Sequence, residues 1–188
     1  TLRGADVIRQ DTGDSHPWAA LLQRWGEPVV GRGSVQDMHP SPVTSFTAQV
    51  AEVAVDPETG GVQVLRFTRA HDLGRVLNPM DHQGQIEGAV MQGIGYALSE
   101  ELVVDEGRVT SVSFGDYKIP NMQDIPILHT LVLASESGPG PYNAKGIGEN
   151  PIGPVAPAIA NAVADAVGVR IKDLPITAEK VYRALADR

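Results

Sequence analysis

Residues 78–98 combine a helical apolar pattern with repeated glycine, and this constrains the fold more than any other stretch. They read Asn78-Pro79-Met80-Asp81-His82-Gln83-Gly84-Gln85-Ile86-Glu87-Gly88, continuing to Gln92-Gly93-Ile94-Gly95-Tyr96-Ala97-Leu98. At about 100° per residue, Gly84, Gly88 and Gly95 share one narrow stripe with Gln85 and Gln92 beside it. Ile86, Val90, Met91, Ile94, Ala97 and Leu98 form the opposite face. One side of the helix predicted over 81–100 therefore packs, and the other is bare backbone flanked by amides. Each interior glycine costs about 1 kcal/mol against alanine, so three on one face call for close approach of a neighbouring helix or of a ligand. The Gln85 amide both donates and accepts, which suits the rim of a heterocycle.

A second stretch, Lys145-Gly146-Ile147-Gly148-Glu149-Asn150-Pro151, sets a carboxylate next to a predicted helix. The two glycines relax the backbone and admit a bulky group, and Pro151 favours a first helical turn. A helix over 152–167 beginning near Pro151 leaves amide donors free at its positive end, where an anionic group can rest while Glu149 handles protons. The plainer reading is a solvated glutamate in a glycine turn. Ile147, Ile152, Val155 and Ile159 give the carboxylate apolar neighbours in the chain.

Together these segments resemble the molybdopterin-binding large subunit of the xanthine dehydrogenase and aldehyde oxidase family, the molybdenum hydroxylases. The residues that carry the resemblance are Asn78-Pro79, Gly84-Gln85-Ile86-Glu87-Gly88, Gln92-Gly93-Ile94-Gly95, Tyr117-Lys118-Ile119-Pro120, Lys145 to Glu149, and Ala158-Ile159-Ala160-Asn161-Ala162. It runs from about Phe46 to the C-terminus and corresponds to the final portion of the large subunit.

The resemblance implies a molybdenum-cofactor domain in which Glu149 is the catalytic base and Gln85 contacts the pterin, with Gly148 and Lys145 near the pterin or metal. The cofactor is molybdopterin, in its plain or cytosine dinucleotide form. The reaction is oxidation of an aldehyde or N-heterocycle with a water-derived oxygen. A free glutamate, with a pKa near 4.3, is too weak a base for neutral pH, so burial at the assembled site is expected to raise it. Asn150 stands where many relatives have proline, and the family's other cofactor loops have no counterpart here. A chain beginning at Thr1 is expected to be a piece of a longer polypeptide or a processed subunit, inactive alone. The competing reading is a noncatalytic scaffold that binds partner subunits without cofactor.

Composition fits this picture. A formal charge of -8 argues against nucleic acid and anionic membranes as partners. No apolar run approaches the roughly 18 residues that span a bilayer, and a cytoplasmic location is expected. With no cysteine the chain holds no iron-sulfur cluster of its own. The resemblance therefore implies an iron-sulfur subunit, an FAD subunit and the rest of the large subunit as partners, besides a small-molecule substrate. His16, His39, His71, His82 and His129 show no metal-gathering spacing, so no protein-ligated metal is assigned. Glu87 lies toward the apolar side of its helix and needs a partner.

The remaining pattern is an α+β domain. Residues 1–45 form a poorly defined segment with one short helix near 17–25, and residues 46–188 form the cofactor domain. Strands are expected over 46–55 and 62–67 around an Asp56–Gly61 turn, then near 102–104, 109–114 and 127–133. Gly168 is the expected stop of the 152–167 helix, and Thr177 the expected cap of a last helix over 178–186. Antiparallel hairpin strands packed with three to four helices follow, without regular strand-helix alternation.

Overall fold

The computed structural model describes residues 45–187 and positions 22, 23, 26, 30 and 34. The chain divides into two compact units, Thr1–Ser41 and Pro42–Arg188. Of the helix predicted near 17–25, only Leu22 and Gln23 are among the described residues, and both are helical.

In the larger unit, strand β1 (Thr47–Val55) turns through Asp56–Gly61 into β2 (Val62–Asp72). The Asp56 carboxylate accepts from the Glu58 amide and the Thr59 hydroxyl, and Gly60 takes φ 74°, which fixes the turn. β2 runs five residues beyond the predicted Phe67. Polar Arg69 and His71 occupy the positions that continue its buried face, which hides the strand from an apolar pattern.

Helix α1 (Pro79–Leu98) is capped by Asn78, whose side chain accepts from the Met80 and Asp81 amides. The two-residue strands β3 (Val104–Asp105) and β4 (Arg108–Val109) follow; the strand predicted over 109–114 shrinks to this ribbon. Strand β5 (Ile127–Leu133) then returns beside β2 in parallel, giving the order β1-β2-β5. The sheet is therefore mixed, because α1 lies in the crossover between its two parallel strands.

Helix α2 (Val155–Val167) starts three residues later than expected. A helix from Ile152 would put Pro157 in its interior, without the N–H that interior positions must donate. Starting at Val155 leaves Pro157 in the first turn, where that N–H has no partner to lose. Gly168 ends α2 at φ 68° with its amide on the Ala164 carbonyl, and Thr177 caps α3 (Ala178–Ala186). Both terminal signals are as the sequence specifies.

The helices cover one face of the sheet. Val64 and Phe67 of β2 join Val90, Ile94 and Ala97 of α1, Val155, Ile159, Val163 and Val167 of α2, and Val181 of α3 in a single core. Gly93 sets the spacing of α1 and α2, since a Cβ there would lie 2.5 Å from Val155 Cβ. No described helix is long and apolar enough to cross a membrane.

Candidate functional site

The buried face of β2 changes character along its length. Val64 and Phe67 are apolar; Arg69 and His71, on the same face beyond them, are both fully buried. Successive residues on one strand face lie roughly 7 Å apart. Above Arg69 stands Glu87 of α1, 3.7 Å from the guanidinium, so the partner expected for Glu87 is this arginine. Gln83 also donates to the same carboxylate at 2.8 Å. Beside His71 lies Asn150. Thus α1 and the 145–151 loop meet over neighbouring positions of β2, and the Tyr96 hydroxyl on the Ile152 carbonyl (3.0 Å) ties them again.

The loop is pinned at both ends. At its start the Lys145 amide donates to the Leu73 carbonyl, and the buried Lys145 ammonium pairs with Asp72 at 2.6 Å. The Lys145 bond, aided by Ser135 and the Gly74 amide, holds the Asp72 carboxyl down at about 2. At its far end Gln49 donates to the Pro151 carbonyl at 2.7 Å, and Asn150 donates to Ser45. Between the anchors, Gly146, Gly148 and Glu149 are exposed.

Glu149 does not border a helix start, since Pro151 lies in a turn closed by the Ile152 amide on the Glu149 carbonyl. Nor do Gly146 and Gly148 use the left-handed backbone, so their value lies in a bare surface. Ile147 and Ile152 are half-buried, whereas Val155 and Ile159 belong to the core.

The glycine stripe of α1 divides. Gly95 is covered by Glu100 and Pro120, while Gly84 and Gly88 are exposed and a Cβ at either would meet nothing within 4 Å among the described residues. Gln85 and Gln92 are exposed on the same side. The Tyr117–Pro120 segment is coil, fastened to the other end of α1 by Tyr117 donating to Glu100 at 2.6 Å and Ser99 donating to the Lys118 carbonyl at 2.8 Å. Asn161 accepts from Arg170 on the surface. Among the described residues no three His, Cys, Asp or Glu gather as metal ligands. A groove lined by Val64, Leu65, Ile94, Leu98, Phe114 and Ile127 includes none of Gln85, Lys145, Gly148 and Glu149.

A family profile described as the molybdopterin cofactor-binding domain matches residues 6–126. The chain belongs to this family. Its resemblance to the molybdenum-binding subunits of xanthine dehydrogenase and aldehyde oxidoreductase type holds over about three quarters of its length. It is 41% identical over 141 residues to the 6-hydroxypseudooxynicotine dehydrogenase complex subunit gamma of Paenarthrobacter nicotinovorans, covering 73% of this chain and 18% of that one. To the putative xanthine dehydrogenase molybdenum-binding subunit XdhA of Escherichia coli K12 it is 39% identical over 140 residues, covering 73% and 19%. The aldehyde oxidoreductase structure from Desulfovibrio gigas superposes with a TM-score of 0.70 at 37% identity, over 76% of this chain and 15% of that one. The chain thus spans less than a fifth of the length of these relatives.

The profile match begins well before Phe46, where the motif resemblance starts, and stops short of the 145–151 loop. Gln85 lies inside it; Lys145, Gly148 and Glu149 lie beyond it. A molybdopterin group fits the residues present in one respect that packing among the described residues does not explain: Gly84 and Gly88 carry the helix cost of glycine with no described neighbour that needs the space. Arg69, His71 and Asp72, which position the loop and helix, were missed with the second half of β2. The Phe67, Arg69, His71 alternation was the signal available for them.

Proposed function

We propose that this chain is part of a molybdenum hydroxylase that oxidises an aldehyde or N-heterocyclic substrate with water-derived oxygen, and that Glu149 is its general base. The observations that carry this reading are the exposed Glu149 on a loop fixed at both ends and the exposed glycines and glutamines of α1, which none of the described residues covers. Molybdopterin, in its plain or cytosine dinucleotide form, would be held by Gln85, by the backbone at Gly84 and Gly88, and by Gly148. When bound, it supplies the two-electron oxidation of the substrate.

The chain's own residues then bind, orient and move one proton. Gln85 offers a donor and an acceptor to the pterin rim. Lys145 stands at the head of the same loop, and its ammonium, engaged with Asp72, keeps that loop in place. A Glu149 carboxylate oxygen accepts the proton of the water-derived oxygen as the bond to the substrate carbon forms. Covering by the rest of the subunit excludes water from this carboxylate.

Residues 46–188 act as the cofactor domain, and residues 1–45 as a separate N-terminal segment. The rest of the large subunit docks on the apolar surface left by β5 and the 102–126 segment, where Phe114, Met122 and Ile127 are exposed. Iron-sulfur clusters and FAD reside on partner chains in the cytoplasm, and the isolated chain is inactive.

Glu149→Gln in the assembled complex tests the assignment. Turnover is expected to fall by at least about 100-fold, in line with loss of a general base, with molybdenum content unchanged. Comparable turnover would refute the base, and a complex without molybdenum would favour the scaffold reading.

A further inference from the structure

The side chain of Glu149 makes no hydrogen bond or ion pair among the described residues, so its direction depends on what fixes the backbone beside it. The next residue is anchored through its side chain. Asn150 Nδ2 donates to Ser45 Oγ, and the Ser45 hydroxyl donates in turn to the Asp72 carbonyl oxygen at 3.1 Å. The other side of that amide, Asn150 Oδ1, is buried without a donor of its own. So is Nδ1 of His71, a residue wholly excluded from solvent.

The two orphaned atoms belong to adjoining side chains, and neither completes a hydrogen bond in this structure. A proton on Nδ1 would turn a donor toward the Asn150 acceptor and leave Nε2 to accept from the Thr47 hydroxyl, 3.4 Å away. The opposite tautomer leaves two buried acceptors on adjoining side chains, an arrangement that costs the desolvation of each.

We propose that Asn150, gripped between Ser45 and the Nδ1–H tautomer of His71, is a positioning residue that aims Glu149 at its reaction partner. The inference rests on Glu149 being the base. Burial, with a smaller push from the positive charge of Arg69 and against the opposing effect of Asn150, lowers the His71 pKa and favours the neutral ring, which leaves Nε2 free to accept from Thr47. The grip is also rigidly founded. Ser45, Thr47 and His71 belong to or adjoin the paired strands β1 and β2, and the Gln49 bond to Pro151 adds a third hold from β1 one residue further along. Displacement of a reacting group by about 1 Å costs on the order of 100-fold in rate, so a loosened Asn150 acts on kcat without touching substrate.

The test uses the assembled complex with Asn150→Ala, and with Ser45→Ala as the milder variant should the first fold poorly. Hydrogen-deuterium exchange is followed in peptides spanning residues 146–149, alongside molybdenum content, kcat and KM. Exchange is expected to accelerate several-fold there while α2 stays protected. The kcat is expected to fall roughly 10- to 100-fold, with KM and molybdenum content nearly unchanged. Unchanged exchange and kcat in both variants, in a complex where Glu149→Gln abolishes turnover, would overturn the grip and leave the base standing. If Glu149→Gln keeps its turnover, the base assignment fails, and the exchange of 146–149 alone decides whether Asn150 holds the loop.

Discussion

Alanine scanning of the α1 glycines separates two physical reasons for placing glycine in a helix. At Gly84 and Gly88 an added methyl meets no atom of the described residues within 4 Å. The fold should therefore gain helix propensity, about 1 kcal/mol per site and about 2 kcal/mol for the double variant. At Gly93 the methyl would stand 2.5 Å from Val155 Cβ, with both Val155 methyls no further than 2.8 Å. Carbon atoms prefer about 3.5–4.0 Å, so α1 and α2 must separate, at an overpacking cost of about 1–3 kcal/mol set against the same 1 kcal/mol gain.

The assay is urea unfolding of the molybdenum-free subunit, paired with metal analysis of the cofactor-replete complex. Gly84→Ala/Gly88→Ala should unfold at higher urea yet retain little molybdenum, because the methyls occupy space the cofactor or its adjoining loops use. Gly93→Ala should unfold at lower urea, and adding Val155→Ala should recover part of the loss. Full molybdenum content in the doubly substituted helix would refute the argument that its open face exists for the cofactor site.

Two further outcomes follow from charges under the sheet. Asp72, held at about 2, is ionised in the fold well below the ordinary carboxylate value of 3.8. Its contribution is complete above about pH 4 and is lost as pH falls toward 2. Allowing for partial solvent contact, it is worth about 1–2 kcal/mol, so acid unfolding of Asp72→Asn should show a flatter pH dependence across that window. Glu87→Gln should destabilise the subunit by roughly 2–4 kcal/mol in denaturant titration, since it leaves the fully buried Arg69 without its counter-charge. Arg69→Met added to it should restore most of the loss, and failure of that rescue would show that the ion pair is not the cause.

Local signals were the legible part of this chain. The Asp56–Gly61 turn, the Gly168 stop and the Thr177 cap depend on one or two residues each, and all three form where their chemistry requires. Features decided by tertiary environment were not legible. The extension of β2 hides behind Arg69 and His71, whose burial only the overlying helix and loop explain. The start of α2 depends on which of Pro151, Pro154 and Pro157 lies within the first turn, and spacing alone did not rank them. Of the candidate site, Gln85 and Glu149 were visible as types in a pattern. The ammonium of Lys145 turned inward to Asp72 was not, because residues 73 positions apart pair only once the sheet exists.

The outer edge of β5 has a consequence for how such a polypeptide is made. Among the described residues no strand pairs with that side, so alternate residues of the seven-residue strand leave amides and carbonyls open there, and Ile127, Leu131 and Leu133 are more than half bared to water. A nascent chain carrying that margin is adhesive toward its own copies until something shields it. Production in a heterologous host should accordingly yield dispersed material when the shielding sequence is synthesised alongside, and inclusion bodies when it is not.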